Sequence, residues 1–287
     1  MQPQLNLGQI DYLNCRPLYQ QLQETLNGNL FSLKPGHPAQ LNQGLENGAI
    51  DMSPSSSMLL AVSPKSSDYF VLPNIAIASL NEVRSVILLS RRPLSELNGC
   101  NISLTNHSLT SIFLLKIILF HFQGLPPDKI TFTKEEFKPD QTREAALIIG
   151  DRALELYHKP PTGFKVYDLG CLWHQFTGLP FVYALWIGRK KALHEKRRTV
   201  IDLHQRLDRI ISVLPEKLAD MTGPALTTMG RETSITPDQL LAYWQQAISY
   251  KLDSRALAGL DLFYRTAKDL GLIEKIPQLD FFPKPNI

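Results

Sequence analysis

Strand-like and helix-like stretches alternate from the start of the chain, and that alternation restricts the fold more than any other feature. Leu5 to Leu13 reads as a strand ending in Asn14-Cys15-Arg16-Pro17. Leu18, Leu22 and Leu26 then recur at helical spacing, and Asn27-Gly28 stops the helix. Leu30 to Leu33 predicts a second strand, and Pro38 to Gly48 a second helix with Leu41 and Leu45 on one face. Ala49 to Met52 predicts a third strand, which delivers Ser53-Pro54-Ser55-Ser56-Ser57 to its carboxyl end before a short helix, Ser57 to Val62. This order is the signature of a mostly parallel sheet with helices on both faces. In such sheets ligands gather beyond the carboxyl ends of the strands, where Asn14 and the serine cluster both fall.

Further strands are expected at Phe70–Leu72, Ile75–Ser79, Val83–Ser90, Asn101–Thr105, Ile130–Thr133, Ala145–Ile149 and Phe181–Ile187. Asp151 reads best as the cap of a helix from Arg152 to Tyr157. From Arg189 onward the pattern is helical, with turns near Gly223-Pro224, Gly230 and Thr236-Pro237. Leu240, Leu241, Trp244, Ala247, Ile248 and Tyr250 to Leu252 predict one amphipathic helix, read as core, and Leu257 to Leu270 the last; the tail through Pro285 is extended. The middle block, 91–180, looks like a second α/β lobe inserted into a first made of 1–90 and 181–287. Val83–Ser90 and Phe181–Ile187 would be the crossing strands of a hinge, and such chains close over a small ligand.

Between Asn106 and Phe122 lies NHSLTSIFLLKIILFHF, an apolar helix whose start carries Ser108, Thr110 and Ser111. The first N–H groups of a helix lack internal partners and its dipole makes that end partly positive, so hydroxyls there suit a carboxylate or phosphate. Simple N-capping explains the same residues and is weighted ahead of anion binding.

The chain has 287 residues, 44% hydrophobic and 20% charged, which bounds it as an ordinary globular protein with room for two lobes. A formal charge of +3 gives no reason to expect nucleic acid, and the run Arg189, Lys190, Lys191, Lys196, Arg197, Arg198 reads as a solvated helix face. Cys15, Cys100 and Cys171 form no close pair and are expected as free thiols. No secretory signal is evident, and the longest apolar run, Ile112 to Phe120, contains Lys116 and is too short for a membrane span. A cytoplasmic location is therefore expected. No dinucleotide or P-loop glycine pattern, HExxH or nucleophile elbow occurs. His107 and His174 fall near the expected cleft without metal-ligand spacing, and His194 and His204 are expected on an exposed basic helix. A cleft rich in Ser, Thr and Asn remains, suited to a carboxylated small molecule.

Several short motifs carry a resemblance. Gly8-x-Ile10-x-Tyr12-Leu13-Asn14, Asp51-x-x-Pro54-x-Ser56-Ser57, Val83-x-Ser85-Val86, Ser108-x-Thr110-Ser111, Ile149-Gly150-Asp151, Asp168-Leu169-Gly170-x-x-Trp173 and Thr177-Gly178-Leu179-Pro180-Phe181 occur in that order. Together they resemble the chorismate dehydratases of the futalosine route to menaquinone, over about residues 7 to 190. The chain departs from that pattern at Cys15, at Leu59-Leu60 and near Asn81.

The resemblance implies an α/β, type II periplasmic-binding-protein-like fold with a ligand cleft between two lobes. It implies loss of water from chorismate to give 3-[(1-carboxyvinyl)oxy]benzoate, with no metal or organic cofactor; the charge and the short apolar runs leave no nucleic-acid or membrane partner expected. It also implies that the substrate's own enolpyruvyl carboxylate removes the ring proton, with Asn14 as catalytic residue. Ser56, Ser85, Ser108, Thr110 and Ser111 are then expected to donate to the substrate. The rival readings are the later enzyme of the same route, which forms a dihydroxynaphthoate, and a non-catalytic binder of small organic acids.

Overall fold

Leu5 and Leu7 are wholly buried, and the strand that carries them, β1 (Leu5–Ile10), lies inside a sheet rather than at its edge. The computed structural model describes residues 4–25, 30–106, 108–137, 143–229 and 232–283. Leu26, Asn27-Gly28, His107, Gly230 and the last residues of the tail, including Pro285, lie outside them.

The chain continues through α1 (Arg16–Thr25), β2 (Phe31–Gly36), α2 (Pro38–Asn47), β3 (Met52–Ser56), α3 (Leu59–Val62) and β4 (Tyr69–Ser79). A second group follows: β5 (Val86–Ser90), β6 (Asn101–Leu104), α4 (Leu109–Ile117), β7 (Thr131–Lys134), β8 (Ala145–Ile149), α5 (Gly150–His158), β9 (Lys165–Asp168) and α6 (Leu169–Thr177). Then come β10 (Phe181–Arg189), α7 (Lys190–Thr227), α8 (Pro237–Ala242), β11 (Ser249–Leu252) and α9 (Ser254–Asp269).

The strands form two sheets, ordered β11-β4-β10-β3-β1-β2 and β7-β6-β8-β5-β9. In the first, β1 runs parallel to β2 and β3, while β10 enters antiparallel between β3 and β4. In the second, β6 is parallel to its neighbours and β5 antiparallel to β8 and β9. The chain passes from the first sheet to the second at residues 80–85 and returns at 178–180.

The expected hinge strand Val83–Ser90 is thereby divided. All of Val86–Ser90 is buried, so its backbone needs a partner on each side; β8 and β9 supply them, and only the residues before Val86 make the crossing. Phe181–Ile187 likewise lies within β10, an inner strand of the first sheet.

Three other expectations give way. The single helix over 240–252 ends early: after α8 the chain makes one wide turn and Ser249–Leu252 pairs with the edge of β4, burying Tyr250 and Leu252 on alternate positions. Open backbone groups on β4 outweigh the local helical spacing. His204 is buried under α7 with its ring nitrogen 3.1 Å from the Pro73 carbonyl, because Val200, Leu203 and Leu207 turn that face inward. Lys196 leaves the solvated run to pair at 2.6 Å with the buried Asp51 carboxylate, which also accepts the Asn6 N–H. At that residue α7 kinks, with φ −135° and ψ 27°. Thr236 does start a helix, by a reciprocal capping box with Gln239.

Candidate functional site

A cleft lies where the carboxyl ends of β1 and β3 face α4 and α5 across the gap between the sheets. Asn14, Ser56, Ser85, Ser108 and Ser111 all line it. Asn14 and Ser56 come from strand ends of the first sheet, Ser85 from the first crossing, and Ser108 and Ser111 from the cap and first turn of α4. The remaining wall is apolar, with Ile10, Ile77, Val86, Ile149 and Ile248 among its members, and no charged side chain of a described residue lines it.

The capping reading of the α4 start is realised, and Ser108 and Ser111 also line the cleft. Ser108 is the N-cap and accepts the Ser111 N–H at 3.2 Å. Its own hydroxyl donates to Ser111 Oγ at 2.8 Å, which leaves the Ser111 proton as the outward donor. Ser56 lies in β3 rather than in a loop beyond it, and its Oγ accepts the Thr110 N–H at 3.1 Å.

Thr110 does not line the cleft. It is buried, its hydroxyl 2.5 Å from Ser56 Oγ and 3.3 Å from Ser57 Oγ, so it clasps α4 of the second sheet to β3 of the first. The rotamer that satisfies a buried hydroxyl wins over one that faces the gap.

Asn14 sits on a turn closing β1, and its side-chain oxygen is buried with no partner among the described residues. Leu13 N–H donates to the Asp151 carboxylate at 2.8 Å. Asp151 therefore does not act as the expected cap of α5; it ties the Asn14 turn to the opposite lobe. The helix begins two residues earlier than expected, at Gly150, whose φ of +70° suits glycine and where a Cβ would meet the Tyr12 ring at 3.0 Å.

Two tyrosines line the cleft that the sequence reading did not single out as donors. Burial, then the Asp151 charge, pushes Tyr12 up to about 12. Burial also raises Tyr183 well above the ordinary phenol range, with Asp168 adding to the shift. Both stay protonated at neutral pH. Cys15, Leu59 and Leu60, where the chain departs from the resembled pattern, are buried in the core and are not among the cleft-lining residues. All three cysteines are free.

Asp168 caps α6 through the Cys171 N–H at 2.9 Å and also accepts from Val83 N at 3.1 Å and Arg84 N at 2.6 Å. It thus fixes the first crossing, where Arg84 has a left-handed φ of 57°. Gly170 follows because a Cβ there would lie 2.7 Å from the Asn81 carbonyl. Among the described residues no three His, Cys, Asp or Glu side chains are grouped to hold a metal ion. No described helix is long and apolar enough to cross a membrane.

Residues 5–269 match the model of a family described as menaquinone biosynthesis. The chain belongs to that family. Curated proteins similar to this chain include the chorismate dehydratase of Thermus thermophilus, 33% identical over 217 residues, 67% of this chain and 76% of that one. The chorismate dehydratase of Campylobacter jejuni is 26% identical over 270 residues, 92% of this chain and 98% of that one. The family match extends past residue 190 into the C-terminal third, beyond the motifs first noticed.

The fold is periplasmic-binding-protein-like. The alkanesulfonate-binding protein SsuA from Xanthomonas axonopodis, bound to MOPS, superposes with a TM-score of 0.73 at 15% identity, covering 96% of each chain. A Candida albicans gene product with the generic periplasmic binding protein fold gives 0.68 at 11% identity, covering 96% of this chain and 92% of that one.

Proposed function

We propose that this chain is a chorismate dehydratase, a hydro-lyase that converts chorismate to 3-[(1-carboxyvinyl)oxy]benzoate. The observation that carries the reading is the meeting of Asn14, Ser56, Ser85, Ser108 and Ser111 in one cleft whose described walls bear no charged side chain. The ring proton beside the enolpyruvyl ether and the neighbouring hydroxyl leave together as water, and the ring becomes aromatic. The product's aromaticity supplies the driving force, so the protein's task is to hold the substrate in an eliminating geometry. Positioning of this kind lowers a barrier by up to ~7–11 kcal/mol.

In this reading Ser85 and Ser111 donate to the substrate's carboxylates, with the positive end of α4 behind the second of them. Asn14 orients the substrate or assists the departing hydroxyl, and the enolpyruvyl carboxylate takes the proton. The two sheets act as lobes that close over the substrate, turning at residues 80–85 and 178–180. Free thiols at Cys15, Cys100 and Cys171 suit a reducing cytoplasm.

Purified protein incubated with chorismate should consume it and release the aromatic acid, followed by chromatography with mass detection. Tight binding without turnover would favour the second reading, a binder of organic acids, which the likeness in fold to a sulfonate-binding protein supports.

A further inference from the structure

The wide turn and short strand over 243–250 send three polar tips into the cleft wall from a part of the chain that otherwise packs as core. Tyr243 Oη donates to Ser85 Oγ at 2.8 Å. Trp244 Nε1 donates to the Leu13 carbonyl at 2.7 Å, and Tyr250 Oη to the Asn14 carbonyl at 2.6 Å. All three rings are buried. The two carbonyls are consecutive and belong to the turn that carries the Asn14 side chain.

We infer that Tyr243, Trp244 and Tyr250 are positioning residues for the elimination, an inference that rests on the dehydratase reading. Trp244 and Tyr250 pin the backbone on both sides of the Asn14 α-carbon, so the turn cannot carry the Asn14 side chain away from the cleft without breaking these two hydrogen bonds. Tyr243 acts on direction instead. A serine hydroxyl has one proton, and with its oxygen occupied by the Tyr243 donor, the Ser85 proton is free to point to the substrate. The Tyr243 and Tyr250 phenols are held protonated by burial, so both remain donors across the neutral range.

The test compares Tyr250→Phe, Trp244→Phe and Tyr243→Phe with Tyr19→Phe, which deletes a buried bond of the same kind, from Tyr19 Oη to the Gly8 carbonyl, away from the cleft. Tyr250→Phe and Trp244→Phe should lower kcat by about 10–100-fold with KM within about threefold, since small misplacements of a reacting group cost that much. Tyr243→Phe should raise KM by about 10-fold, the scale of one hydrogen bond. Tyr19→Phe should lower the melting temperature comparably while leaving kcat and KM as in the parent. Equal kcat losses in Tyr19→Phe and Tyr250→Phe would overturn the inference. An inactive parent would instead overturn the dehydratase reading. Crystal structures then still decide the positioning: the Asn14 turn must be displaced in Tyr250→Phe, and an unmoved turn refutes it.

Discussion

The backbone N–H of Leu13 donates at 2.8 Å to the carboxylate of Asp151, 138 residues further along the chain and on the other side of the cleft. The bond joins the turn that presents Asn14 to the first turn of α5, so the position of the candidate catalytic amide depends on how the two sheets are set.

Removing that acceptor should therefore affect both folding and turnover. Asp151→Ala is expected to cost ~1.5–3 kcal/mol, toward the lower end because the side chain is only half-buried. Asp151→Asn keeps an oxygen acceptor and should lose less. Thermal unfolding, run beside chorismate consumption, checks the order parent, Asn, Ala in both quantities. A destabilised Ala variant with parental kcat would separate Asp151 from the chemistry.

Asn14 itself is expected to act in the reaction more than in binding. Asn14→Ala should reduce kcat by about 10²–10³-fold, the range seen when one oriented donor to a developing charge is deleted. KM should change little, and the melting temperature should hold or rise, because the missing oxygen is buried without a partner among the described residues. Unchanged turnover removes Asn14 from the mechanism.

Thr110→Val preserves shape and deletes the hydroxyl that sits between Ser56 and Ser57. The expected result is a stability loss of ~1–3 kcal/mol together with a raised KM, as Ser56 loses the contact that orients it. Calorimetric titration with chorismate or its product reads the binding term directly. Parental affinity in this variant would mean that the clasp has no part in shaping the cleft.

Alkaline pH should destabilise the protein in a defined window. In the fold, Tyr12 and Tyr157 are pushed from the ordinary 10.0 up to about 12, both by burial first, and then by Asp151 and by Glu82 respectively. The native state thus holds its phenol protons more tightly than the unfolded chain. Their contribution is complete below pH 10.0 and is lost as pH rises through about 12. Melting temperature and phenolate absorbance should change together over that interval; a melting temperature level across it contradicts the burial of these rings.

Much of this architecture is legible in the sequence because polar residues at strand ends cannot be explained by core packing. Asn14 and Ser56 stand out for that reason, and their meeting place follows from the strand–helix alternation; Ser85, expected inside a strand, is picked out only by the family motif around it. Thr110 is equally legible as a polar residue at a helix start, but whether it faces ligand or neighbour depends on the approach of β3, which local pattern does not encode. Asp151 reads as a cap because caps are local, whereas its partner Leu13 is distant in sequence. Trp244 and Tyr250 match a core pattern and are indeed core, as is Tyr243, which that pattern leaves out; only their polar tips reach the cleft wall, and an amphipathic ring hides that tip in any hydrophobicity count. Val86–Ser90 is recognisable as a strand, yet its sheet is fixed by partners on both sides.

One carboxylate, Asp168, grips the N–H groups of Val83 and Arg84 while seating the helix that leads to the return passage at 178–180. The outgoing crossing is therefore tied at one knot to the start of the helix that precedes the return passage. In the proposed closure the halves would swivel around that knot, and opening the Asn14 rim would break the Leu13–Asp151 bond and the Thr110–Ser56 clasp.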